Sequence, residues 1–180
     1  MKKLVSGIVL LVFSIFLSNG LSIVSAQGKV YDEYSNIPTN LTKIFGEPIY
    51  KETSRQESDS IVLDVKESIK TQDSYIATGI LQDVGNVTDK STFVTTHQPD
   101  GNISSSTGHG IITTVDGEIA TYTGKDLGMT DINGTETYRG IEIFQTESDG
   151  KLAFLNNLIG LYEYKSWLDG KKSGIIWEWK

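Results

Sequence analysis

Beyond Pro48 the apolar positions recur with a period of two, in short runs separated by turn residues. Ile61, Leu63 and Val65 share one face of such a run, and alternation of this kind marks a half-buried β-strand. The runs are rich in Ile, Val, Thr, Tyr, Phe and Trp, which suit a pleated surface. Between them stand four Asp-Gly dipeptides, at Asp100-Gly101, Asp116-Gly117, Asp149-Gly150 and Asp169-Gly170. Asp-Gly between alternating runs is a strong hairpin signal, because a type I′ turn needs positive φ at both central residues. The pattern predicts strands over Pro48–Thr53, Ile61–Glu67, Tyr75–Asp83, Thr92–His97, Asn102–Val115, Glu118–Gly124, Glu136–Thr146, Lys151–Lys165 and Ser173–Lys180. Lys125–Thr135 reads as a Gly-rich connection, and Leu41–Phe45 as one short helical turn. About eight or nine strands and almost no 3.6-residue periodicity give an all-β chain. We expect an antiparallel meander closing into a roughly eight-stranded barrel, with a β-sandwich as the alternative.

If each Asp-Gly is a two-residue turn, the cross-strand partners follow. Asp116-Gly117 sets Ile111 opposite Tyr122, Thr113 opposite Ala120 and His109 opposite Gly124. Asp169-Gly170 sets Tyr164 opposite Ile175 and Tyr162 opposite Trp177, so these residues share a face with Trp179. Asp149-Gly150 sets Glu142 opposite Asn157 and Arg139 opposite Gly160. A single extra residue in any turn would exchange the two faces. Gly108 and Gly110 read as bends or bulges where a barrel wall curves. Large apolar residues occur on both faces of the last strands, so their outer side needs a cover: the N-terminal segment or another subunit.

The 180 residues suffice for one domain with one core. Met1-Lys2-Lys3, the apolar run Leu4–Leu17 and the small residues Val24-Ser25-Ala26 read as a signal peptide over 1–26. An uncleaved N-terminal membrane anchor is the alternative, and either reading places the rest outside the cytoplasm, secreted or extracytoplasmic. Residues 27–47 read as an extended lead-in and 48–180 as a single barrel domain. Loss of Lys2 and Lys3 with the leader makes the formal charge of −7 more negative by two units. That argues against nucleic acid or an anionic lipid surface as partner. Cysteine is absent, which excludes thiol chemistry and leaves stability to the core and the backbone ladder. Asn40, Asn86, Asn102 and Asn133 head Asn-x-Ser/Thr sequons and are candidate glycosylation acceptors.

Several stretches carry a likeness. Gly108-His109-Gly110, Thr114-Val115-Asp116-Gly117-Glu118, Tyr138-Arg139-Gly140, Phe144-Gln145-Thr146, Leu155-Asn156 and Trp177-Glu178-Trp179-Lys180 resemble a group of small exported archaeal proteins of unknown function. The likeness spans roughly Tyr50 to Lys180. More distantly the pattern is similar to the allene oxide cyclase and dirigent barrels. That resemblance implies an eight-stranded antiparallel barrel, often trimeric, with an internal pocket for an apolar or phenolic ligand. It transfers no catalytic residue to this chain, and fold alone does not confer function.

Motifs that carry catalysis are mostly absent from the sequence. The chain has no phosphate-binding Gly-rich loop, no nucleophile elbow and no His-Glu-x-x-His. His97 falls opposite Ser104 if Asp100-Gly101 is a tight turn, roughly 16 Å along the sheet from His109 and too far to share a metal ion. Neither a metal nor a cofactor is expected. Asp83, Asn86 and Asp89 lack the spacing of a calcium loop. Polar groups inside apolar strands are the remaining candidates: an Arg139–carboxylate pair with Glu142, Asn156 and Glu163, near Tyr122 and His109, beside the aromatic face of Trp177. The expected function is non-catalytic binding of a small apolar ligand. A cyclase or isomerase with an internal pocket, and a structural envelope component acting through its surface as a homotrimer, are the other readings.

Overall fold

A computed structural model describes residues 42–99 and 101–180. The expected signal peptide over 1–26, the lead-in up to Leu41 with Asn40, and Asp100 lie outside the described residues. Helix α1, Thr42–Phe45, falls on the short turn that the sequence predicts. Nine strands follow: β1 Tyr50–Glu57, β2 Ile61–Asp64, β3 Ile69–Leu81, β4 Gly85–His97, β5 Ile103–Thr114, β6 Ile119–Thr130, β7 Glu136–Gln145, β8 Ile159–Ser166 and β9 Lys172–Glu178. All pairings are antiparallel. From β3 to β9 each strand pairs with the next, and β1 closes the ring by pairing with β9 and β3. The result is a closed eight-stranded antiparallel barrel, with β2 as an extra strand lying along the start of β3. Closure satisfies the edges that an open sheet would leave unpaired.

The turns differ from the two-residue hairpins that Asp-Gly suggests. Thr114 and Glu118 close a three-residue loop: Gly117 N–H donates to Thr114 O at 3.1 Å, and Thr114 N–H to Glu118 O at 3.0 Å. Only Gly117 has positive φ there, at 92°. The same loop recurs at Asp131–Thr135, with Asn133-Gly134, and at Trp167–Lys171, with Asp169-Gly170. This is the type I turn followed by a left-handed glycine, which adds one residue to the hairpin. Every expected pair across those turns therefore shifts by one. Tyr122 faces Gly110 rather than Ile111, and Tyr162 faces Ile176 rather than Trp177. The β4–β5 register matches the expectation, with His97 opposite Ser104.

Asp149-Gly150 is not a hairpin turn. Residues 146–158 form a long connection with a single 3-10 turn at Ala153–Leu155, and β8 begins only at Ile159. Glu142 consequently faces Gly160, not Asn157, and Arg139 faces Glu163, not Gly160. The connection is apolar where it crosses the end of the barrel: Leu152, Leu155 and Leu158 are buried with Leu81, Val87, Ile112, Ala120 and Phe144. Glu118 fixes it from the neighbouring hairpin by accepting from Lys151 N–H at 3.1 Å and Leu152 N–H at 3.0 Å. These leucines seal one end.

Inward positions alternate large and small. Rings on one strand face glycines on the next: Tyr122 lies against Gly110, Phe93 against Gly108 and Gly124, and Tyr138 against Gly128. The β4–β5 and β5–β6 registers run without a shift past Gly108 and Gly110, so these are clearances for rings rather than bulges. Among the described residues the register shifts instead in β1, between Glu52 and Ser54, and in β2, between Val62 and Asp64; the shift in β1 bears on the interior. It keeps the strand from alternating simply and turns both Glu52 and Arg55 into the barrel. On the outside, helix α1 packs on β9, the strand that carries the buried Trp177.

Candidate functional site

The end of the barrel opposite the leucine seal is open. A cavity of about 310 Å³ enters there, lined chiefly by Arg55, Asp73, Tyr75, Phe93, His97, Asp126, Tyr138, Tyr162 and Tyr164. Strand parity explains the set. Tyr75, Phe93, Asp126, Tyr138, Tyr162 and Tyr164 all lie on the inward face, in register with the glycines that clear space for them.

Arg55 forms one wall. Its guanidinium lies 3.6 Å from the centre of the Tyr75 ring and 4.1 Å from that of Tyr164. Its Nε donates to both oxygens of Glu52 at 3.1 Å, and its Nη2 to Oε2 at 2.6 Å. A guanidinium stacked on ring faces and held by a carboxylate is a favourable way to place a positive charge out of water. On the other side, Tyr162 donates its hydroxyl to Asp126 Oδ2. Asp126 is only 6% exposed, and its Oδ1 has no hydrogen-bond partner among the described residues. Burial raises its pKa, an effect that the hydrogen bonds of Tyr162 and Ser106 partly offset. Burial likewise pushes the Tyr138 hydroxyl up to about 12.

Below the cavity lies a second polar layer. Asp89 accepts from Ser91 Oγ at 2.7 Å and from Tyr122 Oη at 3.1 and 3.0 Å. The Tyr75 hydroxyl reaches Asp89 Oδ2 at 3.3 Å and joins this layer to the cavity. Glu142 is 4% exposed and opposite Gly124, with Oε2 unpartnered among the described residues. Burial first, and the nearby Asp89 second, raise its pKa well above that of an ordinary carboxyl group. Glu142 lies under the cavity and does not line it.

The sequence-predicted residues are not brought together. Tyr122 and Glu142 are inside the barrel, in the layer beneath the cavity. Arg139 and Glu163 do form the expected pair, Nε–Oε2 2.8 Å, but on the outer wall, where Lys165 joins them at 2.9 Å. They face outward because Gly140 and Tyr162, their alternating neighbours, face in. His109 is exposed on the outer wall, since Gly108 and Gly110 take the inward positions. Asn156 is exposed in the connection at the sealed end. Trp177 is 2% exposed but pairs with Leu161, on the strand face opposite Tyr162 and Ile176. Asn86, Asn102 and Asn133 are exposed, as glycosylation acceptors must be. Among the described residues no group of three or more His, Asp or Glu side chains is placed to hold a metal ion.

Arg55, Asp126, Tyr138 and Tyr164 were not legible as a site, because the inward set depends on the turn length. Asp-Gly or Asn-Gly marks the three-residue loops at 115–117, 132–134 and 168–170, but the same pattern at 99–101 and 148–150 belongs to longer loops, so no local signal fixes the turn length.

No family model matches the chain, and no curated protein does either. Among solved structures the chain is similar to a protein of unknown function from Clostridium acetobutylicum ATCC 824. The two are 15% identical with a TM-score of 0.58, over 73% of this chain and 96% of that one. The likeness is one of fold.

Proposed function

We propose that the protein is a non-catalytic barrel that binds a small ligand in its open end. The observation that carries this reading is the division of the barrel: three buried leucines seal one end, while the other holds a cavity walled by aromatic rings. A barrel built only for stability would fill its interior with interdigitated side chains, as small eight-stranded barrels can. The wall is more polar than the small apolar ligand expected from the sequence would require, since Arg55, Asp73 and Asp126 stand among the rings. A ligand with an apolar body and polar groups suits it better.

A library of lipids, phenols, sugars, amines and small acids, screened by the shift in thermal unfolding, tests the reading. Stabilisation that grows with ligand concentration is expected from at least one class. A flat response across all classes at millimolar concentration would remove the proposal.

A cyclase or isomerase is the second reading, favoured by Asp126, whose carboxyl is pushed towards the neutral form and touches the cavity beside Tyr162. Such a carboxyl can serve as a proton donor or acceptor. Solvent-deuterium incorporation into a bound ligand would favour it, and inert binding would favour the first.

A further inference from the structure

The ligand class can be taken further, resting on the reading of the cavity as a binding site. Two parts of the barrel interior have the same chemistry, and only one is filled. In the first, a carboxylate (Glu52) and two ring faces (Tyr75 and Tyr164) hold the guanidinium of Arg55. In the second, a carboxylate (Asp126) lies with Tyr138 and Tyr162, and among the described residues no side-chain cation pairs with it. The Tyr138 and Tyr164 rings sit 6.1 Å apart, so the aromatic wall is continuous between the two parts.

Charge points the same way. Five charged residues line the cavity besides His97. Arg55 is matched by Glu52, and Glu57 by Lys172. Asp73, Asp126 and Glu136 have no ion-pair partner among the described residues. Asp73 is hydrogen-bonded by the hydroxyls of Thr71 at 2.9 Å and Thr95 at 3.2 Å, and these donors suffice for it. Asp126 differs: Tyr162 donates to its Oδ2, while its buried Oδ1 has no hydrogen-bond partner among the described residues. A buried acceptor without a donor is destabilising. Anions would meet three carboxylates at this mouth.

We propose that the cavity selects a small organic cation, an amine or guanidine whose N–H groups reach Asp126 while its body lies against Tyr138 and Tyr164. Ring faces attract such cations, and a charge-assisted hydrogen bond fixes the head group.

Isothermal titration of the full chain with phenethylamine, 2-phenylethanol and phenylacetate tests this, since the three share a ring and differ in charge. Phenethylamine should bind at least tenfold more tightly than the alcohol, and phenylacetate least. Asp126→Asn should bring the amine down to the affinity of the alcohol and leave the alcohol unchanged, while Tyr138→Leu should weaken both. If Asp126→Asn fails to fold by circular dichroism, the amine-to-alcohol ratio in the unmodified chain and the Tyr138→Leu result decide the matter. Equal or tighter binding of the alcohol or of phenylacetate overturns cation selection and leaves ligand binding standing. Silence from all three probes also overturns cation selection. The wider library then judges the binding reading separately.

Discussion

Replacing Arg55 with methionine removes the cation that the barrel already holds and leaves its surroundings in place. The side chain of Arg55 is 10% exposed and that of Glu52 4%, so the pair is screened little by solvent. Breaking a buried pair by removing one partner costs about 3–5 kcal/mol, because the other charge stays behind uncompensated. The stacking of the guanidinium on Tyr75 and Tyr164 adds roughly 0.5–1 kcal/mol for each ring. Arg55→Met should therefore lie at the upper end of that range. Asp89 is also among the charges that act on this region, which makes relief by a neighbour harder. Urea unfolding followed by far-UV circular dichroism at pH 7 measures the loss. In the double variant Glu52→Gln/Arg55→Met the uncompensated charge is gone, and most of the stability should return. Methylguanidinium at millimolar concentration should raise the unfolding midpoint of Arg55→Met by more than that of the unmodified chain, which offers it only the Asp126 site. A cost below about 1 kcal/mol, the range of an exposed pair, would refute the reading of Arg55 as a cation enclosed by rings and carboxylate.

Leu155→Ala should cost about 2–5 kcal/mol in the same urea assay, because Leu155 is fully buried in the seal and its removal leaves a cavity. Glu142→Gln tests the buried carboxyl through pH. Its folded pKa is raised, so below the unfolded value both states hold the proton and its contribution is fully present. As pH rises from there towards the folded pKa, only the unfolded chain releases the proton, and stability falls by up to about 1.36 kcal/mol per pH unit. The glutamine variant lacks that slope, so it should gain on the unmodified chain from about pH 4.5 upward, which unfolding at a series of pH values will read. Gly170→Ala should cost roughly 1–2 kcal/mol, because φ is 84° there and nothing crowds the added methyl group, so the penalty is purely one of conformation. Ligand binding in the cavity should leave tryptophan fluorescence nearly unchanged, since no tryptophan lines it, and a large quench would place the ligand elsewhere.

The barrel was readable in the sequence because strand alternation and turn dipeptides are local. Strand β5, expected over Asn102–Val115, runs from Ile103 to Thr114. Local signals misled where one residue of turn length decides the face. The three-residue loops at Gly117 and Gly170 turn His109 outward and put Trp177 on the face opposite Tyr162. Asp149-Gly150 carries the same dipeptide, yet Leu152, Leu155 and Leu158 have more to gain as a seal than as a strand. Closure through β1 is a contact between distant parts of the chain, and no local pattern marks it. Arg55 was hidden for a related reason, because the bulge at Glu52/Ser54 breaks the alternation that would have placed it. Tyr122 and Glu142 were found as polar or amphipathic residues inside apolar strands. Their role is structural support beneath the cavity, whereas Asp126 and Tyr138, which line it, lie in or beside a stretch that reads as a Gly-rich connection.

The central claim, an organic-cation site walled by tyrosines at the open end of a sealed barrel, is tested most directly by NMR of the tyrosine rings during a phenethylamine titration. Saturable shifts at Tyr138, Tyr162 and Tyr164, with Tyr50 at the far side of the polar layer unmoved, are the predicted result. Shifts confined to the outer wall around Leu161 and Ile175, or no saturable shift at any ring, would contradict it.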